Sequence, residues 1–259
     1  EVSVDTPFGA PSDVLVEGTL EGGTKMLFLP RHGRGHRVPP HQINYRANVC
    51  ALKKAGATHV VSVSAVGSMK EEIEPGHLVV PDQFIDLTKK RTSTFFEDGI
   101  VGHVPFADPV CPLLGASLGQ AAEKAARTHR GGTYVCIEGP QFSTRAESLL
   151  YRSWGVSVIG MTSMPEAKLA REAELPFATL ALATDYDCWH ATHDDVTVEA
   201  VVATMKKNVA SAKKALAELA RSLPDPKKSI AHGVTRGAVM TAPERITDAA
   251  RARLAWLLG

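Results

Sequence analysis

Residues 181–190 read ALATDYDCWH, an apolar run that ends on Asp185 and Asp187 beside Tyr186 and Trp189. In extended backbone, residues two apart point to the same face. A strand that continued through this stretch would therefore deliver both carboxylates into one pocket. Two acids side by side in an apolar, partly closed pocket repel each other when both are ionised, so at least one is expected to hold its proton toward neutrality. A carboxyl tuned in this way can serve as a general acid. The competing reading is a solvated acidic pair at a strand end. A metal-binding pair is disfavoured, because no third acid follows at useful spacing.

In open α/β sheets, ligands collect beyond the carboxyl ends of strands, and the polar residues there form a varied set. MLFLP leads to Arg31 and His32, and VVSVSAVG to Ser64, Ala65 and Gly67. YVCIEGP leads to Phe142 and Ser143, VSVIG to Met161 and Thr162, and TLALAT to Asp185 and Asp187. The planar fork of Arg31, the hydroxyls of Ser64 and Thr162 and the backbone amides around Gly67 are donors suited to an oxyanion. Taken singly they also fit a solvated loop, a strand end and a helix cap, and Met161 and Phe142 fit an apolar core. As the ends of separate strands they favour phosphate. His32 and His36 in RHGRGH have no cysteine or acid at ligand spacing, so no metal is expected.

These residues need strands and helices in alternation to hold them, and the chain supplies both. DVLVEGTL and KMLFLP read as early strands around a turn at residues 21–23. HQINYRANVCALKKAG sets Ile43, Ala47 and Ala51 on one helical face and stops at Gly56. THVVSVSAVG and HLVVPDQFID follow as strands. CPLLGASLGQAAEKAART is a helix weakened by two glycines, and TYVCIEGP is a strand. Helix RAESLLYRSWG, strand VSVIG, helix PEAKLAREAEL with Pro165 at its start and strand PFATLALATD continue the pattern. The longest helix is expected from about Val196 to Leu223. This alternation predicts a single α/β domain over residues 1–259, with a central mixed, mostly parallel sheet flanked by helices. After Leu223 a polar connector over residues 224–237 leads to ERITDAARARLAWLLG, an amphipathic helix that must cover a surface of its own chain or of a neighbour.

A length of 259 residues with 44% hydrophobic composition suffices for one full core. Twenty-nine basic against 28 acidic residues leave a formal charge of +1, which provides no general field for nucleic acid or an acidic membrane. Neither is expected as a partner. No apolar run approaches the ~20 residues of a membrane span, and no secretory pattern opens the sequence. Cys50, Cys111, Cys136 and Cys188 lie far apart without CxxC or zinc spacing. Reduced thiols in a cytoplasmic protein are the expectation.

RHGRGHRVPPHQINYRANVCALKKAGATHVVSVSAVGS, GHLVVPDQFID, IEGPQFSTRAES and GMTSMPEAKLAREAELPFATLALATDYDCW resemble, in order and spacing, the motifs of the trimeric purine nucleoside phosphorylases. Within that family the similarity is greatest to the branch acting on S-methyl-5'-thioadenosine. It covers about residues 1 to 220 and is much less clear beyond. The resemblance implies a pentosyltransferase that uses inorganic phosphate as co-substrate and no cofactor. Its products would be adenine and 5-methylthioribose 1-phosphate, and its assembly a homotrimer.

The resemblance also implies roles for single residues. Arg31, His32, Ser64, Ala65 and Thr162 would line the phosphate, with Ser64 where the animal enzymes commonly have threonine. Met161 would lie at the ribose and Phe142 on the base. Asp185 would be the general acid at purine N7, with Asp187 assisting at the amino group and keeping Asp185 protonated. Ser143 replaces a glutamate of the 6-oxopurine branch, and Asp185 an asparagine; both differences point to a 6-aminopurine. Val198 and Val201 would line the methylthio group, and His103 would come from a neighbouring subunit, with Phe95, Phe96 and Phe106 near that contact or in the core. A methylthioinosine or other 6-oxopurine nucleoside is the alternative substrate, and a nucleoside-binding protein without catalysis is the reading from a different class. Family chains open with a strand and a G-G-T-G turn that precede the first residue here, so a central strand and one phosphate contact are expected to lie outside this sequence. The shortened link between AARTH and RGGTYV implies an absent loop as well.

Overall fold

Strands β1 (Val16–Thr19) and β2 (Lys25–Phe28) pair only with each other, as an antiparallel ribbon, in the computed structural model of the chain. The structure describes residues 1–20, 22–190 and 198–258. Arg31 and His32 therefore do not follow a strand of the main sheet, which corrects the expectation for KMLFLP. The ribbon is short and exposed to partly buried, without the two-sided burial that a central strand requires.

Helix α1 (Tyr45–Lys54) starts where the Asn44 side chain accepts the Ala47 N–H, and it buries Ala47 and Ala51 completely. The main sheet then builds from β3 (Val60–Ser68), β4 (Leu78–Val80), β5 (Gln83–Asp86), β6 (Thr128–Arg130), β7 (Thr133–Cys136), β8 (Val158–Gly160) and β9 (Phe177–Asp185). Helices α2 (Pro112–Glu123), α3 (Arg145–Ser153), α4 (Ser163–Glu172), α5 (Val198–Ala220) and α6 (Asp248–Leu258) accompany it. The seven strands run in the order β5-β7-β8-β3-β9-β4-β6. Only the β3–β8 and β4–β9 pairings are antiparallel. This is the mixed, mostly parallel α/β sheet that the sequence predicts. HLVVPDQFID, however, is two strands and not one. Pro81 ends the first, and β4 and β5 lie far apart in the sheet. Pro has no N–H to give a central ladder.

β9 shows why the sheet sits at the centre. Phe177, Ala181 and Ala183 enter one buried cluster with α1, α4 and α6, while Ala178, Leu180 and Leu182 enter another with α2 and α5. A strand buried on both faces reads as a continuous apolar run. Phe95 and Phe96 are core residues of the first cluster and Phe106 packs against it. β3 pairs with β9 along its length, whereas its other edge meets β8 only at Gly67 and Ser68. A cavity of about 880 Å³ lies along that other edge, lined in part by Leu27, Arg31, Val61 and Val63. Among the described residues, no helix is long and apolar enough to cross a membrane, and no group of three or more metal-ligating side chains occurs.

Candidate active site

The strand does not run through both acids. β9 stops at Asp185, and Asp187 turns back with a φ of 53°, in the left-handed region. The two stay adjacent by another route, because the Asp187 N–H donates to Asp185 Oδ1 at 2.8 Å. Thr184 Oγ1 donates to Asp185 Oδ2 at 2.7 Å. Gly67 on β3 faces this carboxyl, and a Cβ there would lie 3.0 Å from Asp185 Oδ1 and 3.2 Å from the Asp187 Cβ. Glycine is what lets the two strand ends close on the acid.

Burial raises the pKa of Asp185 against the two hydrogen bonds it accepts, and the charge of Asp187 adds the smallest contribution. Mutual repulsion, expected from the sequence as the main cause, is thus secondary to desolvation. Asp187 is also raised, again by burial, and its Oδ2 accepts from the Ser148 hydroxyl on α3. Its carboxylate is engaged with a helix, and its backbone N–H with Asp185.

At the other end, Ser64 Oγ lies 3.1 Å from Thr162 Oγ1 and 3.4 Å from the Tyr134 hydroxyl. All three residues are buried. Thr162 occupies the N-cap of α4 but makes no side-chain cap bond; its hydroxyl points to β3. Gly160 admits Tyr134, because a Cβ there would fall 2.0 Å from the phenol oxygen. Arg31 donates to Ser62 Oγ at 2.8 Å, to Glu166 Oε2 at 2.9 Å and to the Val63 carbonyl. Three of its N–H groups are thereby committed to β3 and α4. His32 donates through Nδ1 to the Val38 carbonyl, 2.9 Å away, and its ring stacks on His36 with centroids 4.3 Å apart. Because a carbonyl only accepts, Nδ1 carries the proton and Nε2 is left as an acceptor. Burial lowers its pKa, and the charges of His36, Arg31 and Arg91 act the same way.

Between these ends, Met161 packs against the loop after β7, where a Cβ on Gly139 would meet its sulfur at 2.5 Å. Phe142 is 51% exposed and so is not core. The Ser143 hydroxyl is buried without a hydrogen-bond partner among the described residues, while its carbonyl accepts from the Cys188 thiol at 3.5 Å. Ala65 lies on β3 between Ser64 and Gly67. At about 3.3 Å per residue, three residues along β3 separate the Ser64 hydroxyl level from Gly67 by about 10 Å.

Two expected members stand apart. His103 is exposed, with its N–H on the Ala238 carbonyl, and has no hydrogen bond to the ends of β3, β8 or β9 among the described residues. Val198 is 63% exposed at the start of α5, and the side chain of Val201 lies outside the described residues, as does Val196. Sequence reasoning missed Tyr134, Ser148 and Thr184. The only signal for Ser148 was a hydroxyl on the inward face of an amphipathic helix, and Tyr134 reads as ordinary core in a buried strand.

The family profile described as Phosphorylase superfamily matches residues 2–221. A protein of Geobacter sulfurreducens named S-methyl-5'-thioadenosine phosphorylase is 56% identical over 260 residues, covering 100% of this chain and 91% of its own length. One of the same name from Synechocystis sp. is 51% identical over 264 residues, covering 100% and 81%. Among solved structures, a methylthioadenosine phosphorylase from an antarctic soil metagenomic library superposes with a TM-score of 0.93 at 48% identity, covering 100% of this chain and 91% of that one. The methylthioadenosine phosphorylase of Schistosoma mansoni in complex with adenine gives 0.88 at 37% identity, covering 93% and 92%.

Proposed function

The chain belongs to the phosphorylase superfamily, and from that premise we propose that it phosphorolyses S-methyl-5'-thioadenosine to adenine and 5-methylthioribose 1-phosphate. A phosphate oxygen attacks C1' as the C1'–N9 bond breaks, and the bonding pair goes into the purine. Asp185 gives its proton to N7. Phosphate held against the sugar both orients the nucleophile and stabilises the oxocarbenium charge. The observation that carries this reading is a buried carboxyl with a raised pKa at the end of β9, facing Gly67. A general acid must hold its proton near working pH.

On this reading Ser64, Thr162, Ala65, His32 and Arg31 serve the phosphate. Met161 serves the sugar, and the exposed ring of Phe142 and the unpartnered hydroxyl of Ser143 serve the base. Asp187 acts first by holding Asp185 through its N–H. His103 and Val198, both exposed in the single chain, fit a site completed by a neighbouring subunit of a homotrimer, with Val198 and Val201 toward the methylthio group. Phosphate is a co-substrate, and the reaction as written needs no cofactor.

Assay of methylthioadenosine, adenosine, methylthioinosine and inosine, each with and without phosphate, tests the reading. Adenine should appear from methylthioadenosine only with phosphate present, and more slowly from adenosine, since apolar selection at the 5' group is worth only ~1–3 kcal/mol. Turnover of the hypoxanthine nucleosides alone would remove Asp185 from this role. Release without phosphate would make the protein a hydrolase, and binding without release a nucleoside carrier.

A further inference from the structure

Arg91 follows β5, and its side chain is 1% exposed. Its Nη1 donates to the Met161 carbonyl at 2.6 Å, the Met164 carbonyl at 2.6 Å and the Tyr45 hydroxyl at 3.0 Å. Nη2 donates to the Glu138 carbonyl at 2.6 Å and the Ile137 carbonyl at 3.3 Å, and Nε to Glu138 Oε1 at 3.2 Å. One planar group thus serves carbonyls of the loop after β7 and of the segment that runs from the β8 loop into the start of α4. Glu138 balances the charge and also accepts the N–H groups of Lys89 and Lys90, which ties the Arg91 backbone segment to the same point.

We propose that Arg91 is a positioning residue, whose guanidinium fixes the spacing between the β7 loop that bears Phe142 and Ser143 and the β8 loop that bears Met161 and Thr162. The role rests on the phosphorolysis reading, in which those loops hold the base, the sugar and the phosphate. The Met161 carbonyl belongs to the peptide that carries the Thr162 N–H, so moving one moves the other. Without Arg91 four partly buried carbonyls lose a donor. Lysine, with three donors on one nitrogen, cannot span both loops.

The test compares Arg91→Ala and Arg91→Lys with the unaltered protein by steady-state kinetics, thermal melting and amide exchange of residues 137–143 and 161–164. Both variants should lose about 100-fold in kcat/KM, mostly in kcat, as expected when reacting groups shift by about 1 Å. Both loops should exchange faster while β3 and β9 do not. Guanidinium ion should restore part of the activity of Arg91→Ala, and methylammonium should not. Arg91→Lys keeps the charge beside Glu138 and carries the test if Arg91→Ala does not fold. Wild-type kcat/KM in Arg91→Lys would overturn the proposal, as would slow turnover with unchanged exchange in both loops and no rescue. If the unaltered protein itself releases no adenine, the reaction is misread; the exchange measurement still decides the clamp, faster loops upholding it and unchanged loops overturning it.

Discussion

Burial sets the sign of every prediction at Asp185. A carboxyl whose pKa is raised on folding binds its proton more tightly in the native state, so it favours folding at low pH and opposes it as pH rises through the folded value. Asp185→Asn removes that opposition. The amide oxygen can still accept the Asp187 N–H, and its NH2 can donate to the Thr184 hydroxyl, which has the Val66 carbonyl 3.2 Å away as its own acceptor. The variant should melt no lower than the parent at pH 7.5, with its relative advantage shrinking as pH falls. Adenine release should drop by about 10²–10⁴, the usual worth of general acid catalysis. A wild-type rate would take Asp185 out of the mechanism. The sequence disclosed the two acids and their mutual nearness, because spacing and an apolar run are written in residue types. It did not disclose the turn between them, since a left-handed φ at Asp187 depends on Gly67 and Ser148 arriving from other elements.

At the scale of elements, α4 links the candidate phosphate end to the segment that carries Arg91. Thr162 precedes it, Glu166 in its first turn pairs with Arg31, and Glu172 in its last accepts from the Thr94 hydroxyl and the Phe95 N–H, each at 2.7 Å. Burial, joined by the charge of Glu97, outweighs those bonds and pushes the Glu172 pKa up to about 6 from 4.5. The native state therefore binds the extra proton between those values, and stability falls as pH rises from 4.5 through 6. Above that window the ionised form costs about 2 kcal/mol. Glu172→Gln should gain about that much in urea denaturation at pH 7.5 and nothing below pH 4.5; equal midpoints at pH 7.5 would show that the hydrogen bonds prevail. Most strands and helices were legible, because runs such as THVVSVSAVG and PFATLALATD allow little else, but β6 begins inside the stretch that reads as helix, and three residues carry no strand pattern of their own. Neighbour relations were not. Pro81 divides HLVVPDQFID, but nothing local says that β4 then pairs with β9 and β6 while β5 pairs with β7 at the far edge.

On the scale of the whole molecule, the question is whether α6 is an appendage or part of the core. Its amphipathic pattern said that it must cover something and left open what. It covers its own chain: Ala250 and Leu254 are fully buried in the cluster that holds Val66, Phe95 and Met164. Trp256 sets its ring edge-on to Phe95, with centroids 5.0 Å apart and an interplanar angle of 79°, and Phe8 completes the group. Phe95 lies four residues beyond Arg91, and its N–H is held by Glu172, so α6 braces the same segment from outside that Arg91 braces from within. Elements that share one core should unfold together. Leu254→Ala should lower stability by about 2–5 kcal/mol and move one transition to lower denaturant, with far-UV dichroism and tryptophan fluorescence still coincident. Were α6 a separate layer, the variant would instead show an early loss of helix ahead of an unshifted main transition. In that event the brace on the Arg91 segment would have to come from Glu138, Glu172 and Tyr45.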